Sequence, residues 1–230
     1  MGPWPVGEIP NRVLYSLGKQ FVHRMAIGFG DIDGNDFGTI FANAVDGDHR
    51  ASPLGLADVA ANGTAWSVKT IKAKYPRTAT TARLISGRCS PDYSLGISDP
   101  RKNPEATGRA VLAIWNARIN ESLDEYDRLR VAVLIRNFEA REFCLFEQPI
   151  ELLPATEYRW QFNRNNNLEG FEKATGRHCF TWQPHGSQFT IKRTVPGSAR
   201  YFTIKRQPEL HGFEAVLKWV GYRDSWISVG

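Results

Sequence analysis

A carboxylate, a hydroxyl and an ammonium meet around one turn of this chain. Asn62-Gly63 separates two segments in which apolar and polar residues alternate, which is the pattern of a hairpin closed by a two-residue turn. A type I′ turn sets the register. Ala61 then faces Thr64, Ala60 faces Ala65, Val59 faces Trp66, and Asp58 faces Ser67. Side chains alternate with period two, so Lys69 joins Ser67 and Asp58 on one face. Val59, Trp66 and Val68 take the other. Directly opposed Cβ atoms lie about 4.5–5.5 Å apart, so the three polar groups converge without any tertiary assumption. Leu56, Ala60 and Ile71 share their face. Strands seldom hold Asp in mid-run, so Asp58 and Lys69 either form a cross-strand ion pair or do chemistry.

Other constellations are weaker. Asp31-Ile-Asp33-Gly-Asn35-Asp36 resembles a calcium loop at its start, but the sixth position is Asp36 instead of Gly and the twelfth is Ala42 instead of Glu. A solvated turn is expected there. His178 and His185 are seven residues apart, which is not a zinc spacing. No P-loop, G-x-S-x-G or G-x-G-x-x-G occurs. Cys89, Cys144 and Cys179 are odd in number and far apart. They are expected as reduced, buried thiols of a cytoplasmic protein.

The elements that must position the hairpin follow from periodicity. Pro10 opens a helix whose apolar face is Val13, Leu14, Leu17, Phe21, Val22 and Met25, and Gly28 and Gly30 end it. Residues 31–53 are rich in Gly and Asp, with one apolar piece at Thr39–Val45 and no assigned element. Leu54–Lys72 forms the two strands around Asn62-Gly63, and a short strand follows at Arg83–Ser86. Pro104 starts a second helix with Val111, Leu112, Ile114, Trp115, Ile119 and Leu123 on its apolar face. Strands follow at Leu129–Arg136 and Glu142–Glu147. After Pro149 and Pro154 come aromatic, alternating runs at Tyr158–Phe162, His178–Trp182, Gln188–Lys192 and Tyr201–Lys205. A short helix ends the chain near His211–Val220. This order predicts an α/β fold with a mixed sheet flanked by helices over 1–154, and a β-rich subdomain over 155–230.

Charge divides along the same boundary. Residues 1–154 carry 18 Lys and Arg against 18 Asp and Glu, whereas residues 155–230 carry 11 against 6. The net charge of +5 therefore comes from the last third, which suits a polyanionic partner. The longest apolar runs are far shorter than a membrane span, and no secretory signal is expected at the Met-Gly-Pro-Trp-Pro start.

An Asp on the first strand of a hairpin, followed by an acidic residue or Ser, any residue and Lys on the second, resembles the core motif of the PD-(D/E)XK nucleases. "GLADVAANGTAWSVKTIK" is similar to it, with Ser67-Val68-Lys69 in the form found in a subgroup of type II restriction endonucleases. The resemblance covers about residues 8–147, including the helix before the hairpin and the helix and two strands after it. It implies a restriction-endonuclease-like core and hydrolysis of double-stranded DNA with Mg²⁺. Asp58 would bind the metal, the backbone carbonyl of Val68 would be a second ligand, and Lys69 would orient or deprotonate the water. Ser67 is a poorer ligand than a carboxylate. The downstream Glu that compensates in the Ser-Val-Lys subgroup is missing, because residues 70–91 contain no Asp or Glu. Glu8 is expected to fill that place, with Asp36 as runner-up.

The last third would read the DNA. Arg159, Gln161, Asn163 and Arg164, with His185 and Gln188, are of the types that contact base edges, and Lys192 and Arg193 suit phosphates. Arg83 and Arg88 are weaker candidates. A palindromic site would imply a homodimer. The alternatives are a non-catalytic nucleic-acid-binding protein on a degenerate nuclease core, and an enzyme centred on Asp31–Asp36.

Overall fold

The computed structural model describes residues 3–50 and 56–228. Leu54, the expected start of the hairpin, lies outside them. In chain order the elements are α1 (Asn11–Ala26), α2 (Gly34–Val45), β1 (Asp48–His49), β2 (Val59–Ala61), β3 (Thr64–Lys72), β4 (Thr81–Arg88), α3 (Pro91–Leu95), α4 (Pro104–Glu125), β5 (Arg128–Asn137) and β6 (Glu142–Pro149). Then come β7 (Tyr158–Phe162), β8 (Leu168–Glu172), β9 (His178–Gln183), β10 (Gln188–Thr194), β11 (Arg200–Thr203) and α5 (Phe213–Trp219). The fold is mixed α/β, with two sheets and flanking helices.

The first sheet has the order β1-β2-β3-β5-β6-β11. β3 runs parallel to β5, and β2 and β6 are antiparallel to their neighbours. A parallel pair needs a crossover, and α4 is the helix within it. β5 is central and covered on both faces, which is why Val131–Ile135 is one unbroken apolar run. On one side of this sheet α1 contributes Val13, Leu17 and Phe21, and α2 contributes Phe37, Ile40 and Phe41, against Val59, Trp66, Val68, Leu134 and Phe143. On the other side lie Val111, Leu112, Trp115 and Ile119 of α4, together with the inner face of the second sheet, against Ala65, Val131, Val133 and Phe146.

The second sheet is antiparallel, in the order β4-β10-β9-β8-β7. Its inner face supplies Leu84, Trp160, Phe180, Trp182, Phe189 and Ile191 to the core. The two stretches divided at Pro154 are interleaved. β4 leaves the first stretch to pair with β10, and β11 returns from the second to pair with β6.

Besides the short β1 and α3, which fall where no element is expected, two elements depart from the sequence expectation. The Gly- and Asp-rich stretch is a helix, α2. Asp33 accepts from the Asp36 N–H at 2.8 Å while the Asp36 carboxylate accepts from the Asp33 N–H at 3.1 Å. Such a reciprocal capping box starts a helix, and Phe37, Ile40, Phe41 and Ala44 continue it at helical spacing. The expected solvated turn at Asp31–Asp36 is therefore a helix cap. The second departure is β8, which the Asn-rich run before it concealed. Gly170 sits in mid-strand there because a Cβ would lie 2.8 Å from Phe180 and Trp160.

Candidate active site

The hairpin carries the site. Asn62 and Gly63 have φ of 49° and 73°, the positive values a type I′ turn requires. Val59 pairs with Trp66, Ala60 with Ala65 and Ala61 with Thr64, as the turn dictates. β2 begins at Val59, so the Asp58 carboxylate, one residue earlier, takes the place a strand residue would have filled. Its Oδ2 accepts from the Val68 N–H at 2.9 Å, the Lys69 Nζ at 3.1 Å and the Ser67 Oγ at 3.2 Å. Ser67 is buried. The Asp58 and Lys69 side chains retain 20% and 27% of their exposure, enough for both to meet a substrate.

Asp58, Val68 and Lys69 form one wall of a cleft of about 610 Å³, whose other walls include His49, Arg50, Thr70, Arg83 and Ile85. Arg50 donates its N–H to the Asp58 carbonyl at 2.8 Å, which fixes β1 beside the hairpin. Its guanidinium reaches Glu125 Oε1 and the Tyr126 hydroxyl, each at 2.5 Å, at the end of α4. That contact holds Glu125 below the usual carboxylate range, chiefly through the Tyr126 hydroxyl and then Arg50. His49 lies on the α2 side, 3.1 Å from Thr39 Oγ1. Arg83 is exposed on β4 and makes no ion pair among the described residues. The lining thus holds three cationic side chains and one carboxylate. Sequence patterns alone cannot find Arg50, because a pairing between β1 and β2 brings it in.

Oδ2 takes every hydrogen bond that Asp58 makes among the described residues, and Asp58 is the carboxylate of the cleft lining that could hold a cation. In an antiparallel pair a residue presents its N–H and C=O to the same edge, so the Val68 carbonyl faces the Asp58 side. This donor set fits a Mg²⁺ ion that keeps most of its waters or borrows phosphate oxygens. It holds no second carboxylate. Glu8 is exposed at the start of α1, next to Gly7, whose N–H reaches Glu147 on the α1 and α2 side of the sheet. Glu8 is not among the residues that line the cleft of Asp58. Asp36 is committed to the α2 cap and to Arg24 at 3.0 Å. No cluster of three His, Cys, Asp or Glu suited to a metal exists among the described residues.

The proposed reading residues fall into three groups. Arg159 and Gln161 on β7, and Gln188 and Lys192 on β10, share the outer face of the second sheet, because their strands pair in register through β8 and β9. Lys192 is the cross-strand partner of Arg83, so this face begins at the cleft wall. His185 and Arg164 sit exposed on the β9–β10 and β7–β8 turns. Asn163 instead builds its own turn, accepting from the Asn165 and Asn167 N–H groups and donating to Glu169 at 2.7 Å. Arg193 points inwards, and its Nε is shielded from solvent without a hydrogen bond among the described residues. Burial pushes its guanidinium below the usual value.

The three cysteines are buried and free, and burial pushes Cys89 and Cys144 up to about 11. No helix among the described residues is long and apolar enough to cross a membrane. No family model, curated protein or solved structure matches the chain.

Proposed function

We propose that this chain is a metal-dependent endonuclease of double-stranded DNA, built on a restriction-endonuclease-like core and acting as a homodimer. The observation that carries this reading is Asp58 Oδ2 gathered by Ser67, Val68 and Lys69 at the wall of a cationic cleft. Hydrolysis of a phosphodiester needs a positioned water and positive charge on the phosphoryl oxygens. Lys69 supplies a proton-transfer group and charge at the same place. Asp58, with the Val68 carbonyl, would hold a divalent cation, which polarises the phosphate and activates water when bound. Arg50 keeps its charge paired with Glu125, whereas Arg83, without an ion pair among the described residues, adds charge that suits a polyanion. Lys192 continues it onto the outer face of the second sheet, where Arg159, Gln161 and Gln188 would meet base edges. A helix before the hairpin and a helix and two strands after it, the order the resemblance implies, support this reading.

A second reading has its own support: with Asp58 paired to Lys69 and no second carboxylate nearby, the same surface suits DNA binding without cleavage. Incubation with phage genomic DNA and Mg²⁺ separates the two. Discrete bands that vanish with chelator and in Lys69→Ala support the endonuclease. Retarded but uncut DNA at every metal tested supports the binding protein and rejects the enzyme.

A further inference from the structure

Behind the cleft, the structure leaves a small space between the two sheets. Ser67 and Lys69 of β3, Leu84 and Ser86 of β4, Ile191 and Arg193 of β10, and Trp115 surround it, with Val131 and Ile150. The centre of a water-sized sphere can move through about 10 Å³ there. That is room for one water molecule.

The polar groups facing it complement a water. Arg193 Nε is a donor shielded from solvent with no partner among the described residues, and a buried donor without an acceptor is costly. Ser67 Oγ gives its proton to Asp58 Oδ2 at 3.2 Å, and Ser86 Oγ gives its proton to the Leu84 carbonyl at 3.0 Å. Each hydroxyl therefore keeps lone pairs to accept with. Ser86 is also the extra residue of a β-bulge. Phe189 pairs with Gly87 and Thr190 with Ile85, leaving Ser86 unpaired. Bulges re-aim side chains beside functional sites.

We infer that one ordered water is held here, accepting from Arg193 Nε–H and donating to Ser67 Oγ and Ser86 Oγ. Three bonds is the usual complement for an internal water. Arg193 and Ser86 are then positioning residues. They hold the Ser67 hydroxyl in the rotamer that donates to Asp58, and so fix the carboxylate. This gives a physical reason for Ser67: a carboxylate there could not donate to Asp58 and would repel it. Lys192 and Arg193 are successive residues of β10 with side chains on opposite faces, so the strand that presents Lys192 outwards also braces the site. The water stands on geometry alone, whereas its effect on turnover rests on the endonuclease reading.

The tests use the full chain. A crystal structure resolving ordered solvent is expected to show one water bonded to Arg193 Nε, Ser67 Oγ and Ser86 Oγ, and its lack overturns the inference whether or not the protein cuts DNA. Arg193→Gln places Nε2 where arginine carries Nε, so it should keep the water. Arg193→Met places a methyl there and should expel it. If the protein cleaves DNA, Arg193→Met should lower kcat roughly 10- to 100-fold at unchanged KM, the usual scale for a lost supporting contact, while Arg193→Gln stays near wild type. Equal kcat in the two variants, with both folded by circular dichroism, overturns the positioning role. A protein that never cleaves but shows the water refutes the endonuclease and leaves the water site established.

Discussion

Asp58→Asn is the most direct test of the site. The amide matches the carboxylate in shape, so the hairpin register survives, but the charge is lost. Three donors then converge on a neutral group or meet an NH₂. A hydrogen bond involving a charged group contributes about 1.5–3 kcal/mol and a neutral one about 0.5–1.5 kcal/mol. The difference over three bonds is an upper bound, because Lys69 keeps 27% exposure and regains water once freed. An exposed ion pair contributes only about 0.2–1 kcal/mol, so the expected loss of stability is about 1–2 kcal/mol. In a chain of this size each kcal/mol moves Tm by about 2–4 °C, which calorimetry resolves. Activity should fall far more, at least about 10²-fold, the scale of removing one group that stabilises transition-state charge. The paired assays are calorimetry and Mg²⁺-dependent cleavage of supercoiled plasmid. A folded Asp58→Asn protein that cleaves like wild type refutes the assignment of Asp58. A variant that unfolds, or loses well over 2 kcal/mol, shows instead that Asp58 is mainly structural.

Two further outcomes follow from charges elsewhere. Glu147 is buried, accepting from Trp4 Nε1 at 2.7 Å, Arg130 at 3.0 Å, Trp66 Nε1 at 3.1 Å and the Gly7 N–H at 3.3 Å. Glu147→Ala strands the buried Arg130 charge, so a loss of about 3–5 kcal/mol in urea unfolding is expected, and a loss under about 1 kcal/mol would contradict that network. Burial pushes the Asp31 carboxyl up, but Arg136 at 2.7 Å, the Ile32 N–H and Lys72 together hold it below its ordinary value. A lowered carboxyl stabilises the fold above its ordinary pKa and loses that contribution as pH falls through the lowered value. Asp31→Asn should therefore be less stable than wild type by about 1–2 kcal/mol near neutral pH, with the gap closing below about pH 4. A gap that persists under acid would show that the pair does not act through charge.

Local rules make much of this protein legible in its sequence. The Asn62-Gly63 turn determines which residues face each other across a hairpin, because a two-residue loop leaves one register and strand side chains alternate. The Asp58, Ser67 and Lys69 cluster follows from that alone. Helices α1 and α4 announce themselves by apolar spacing and an initial proline, and β5 by its unbroken apolar run. The α2 helix is readable too, since Asp33 and Asp36 stand three apart ahead of helically spaced Phe37, Ile40 and Phe41. Its glycines and aspartates obscure the pattern.

The tertiary structure decided what no local pattern encodes. Which side of a sheet a distant residue occupies depends on chain reversals far from it in sequence. Glu8 thus stands outside the cleft lining, although residue type suggests that it meets Asp58. β4 crosses to the second sheet and brings Arg83 to the cleft, while β1 brings Arg50. Arg193 turns inwards although its neighbour Lys192 faces solvent, because strand alternation sets opposite faces but only packing determines which is the interior. A hairpin written into its own turn carries the chemistry, and long-range strand pairing determines what surrounds it.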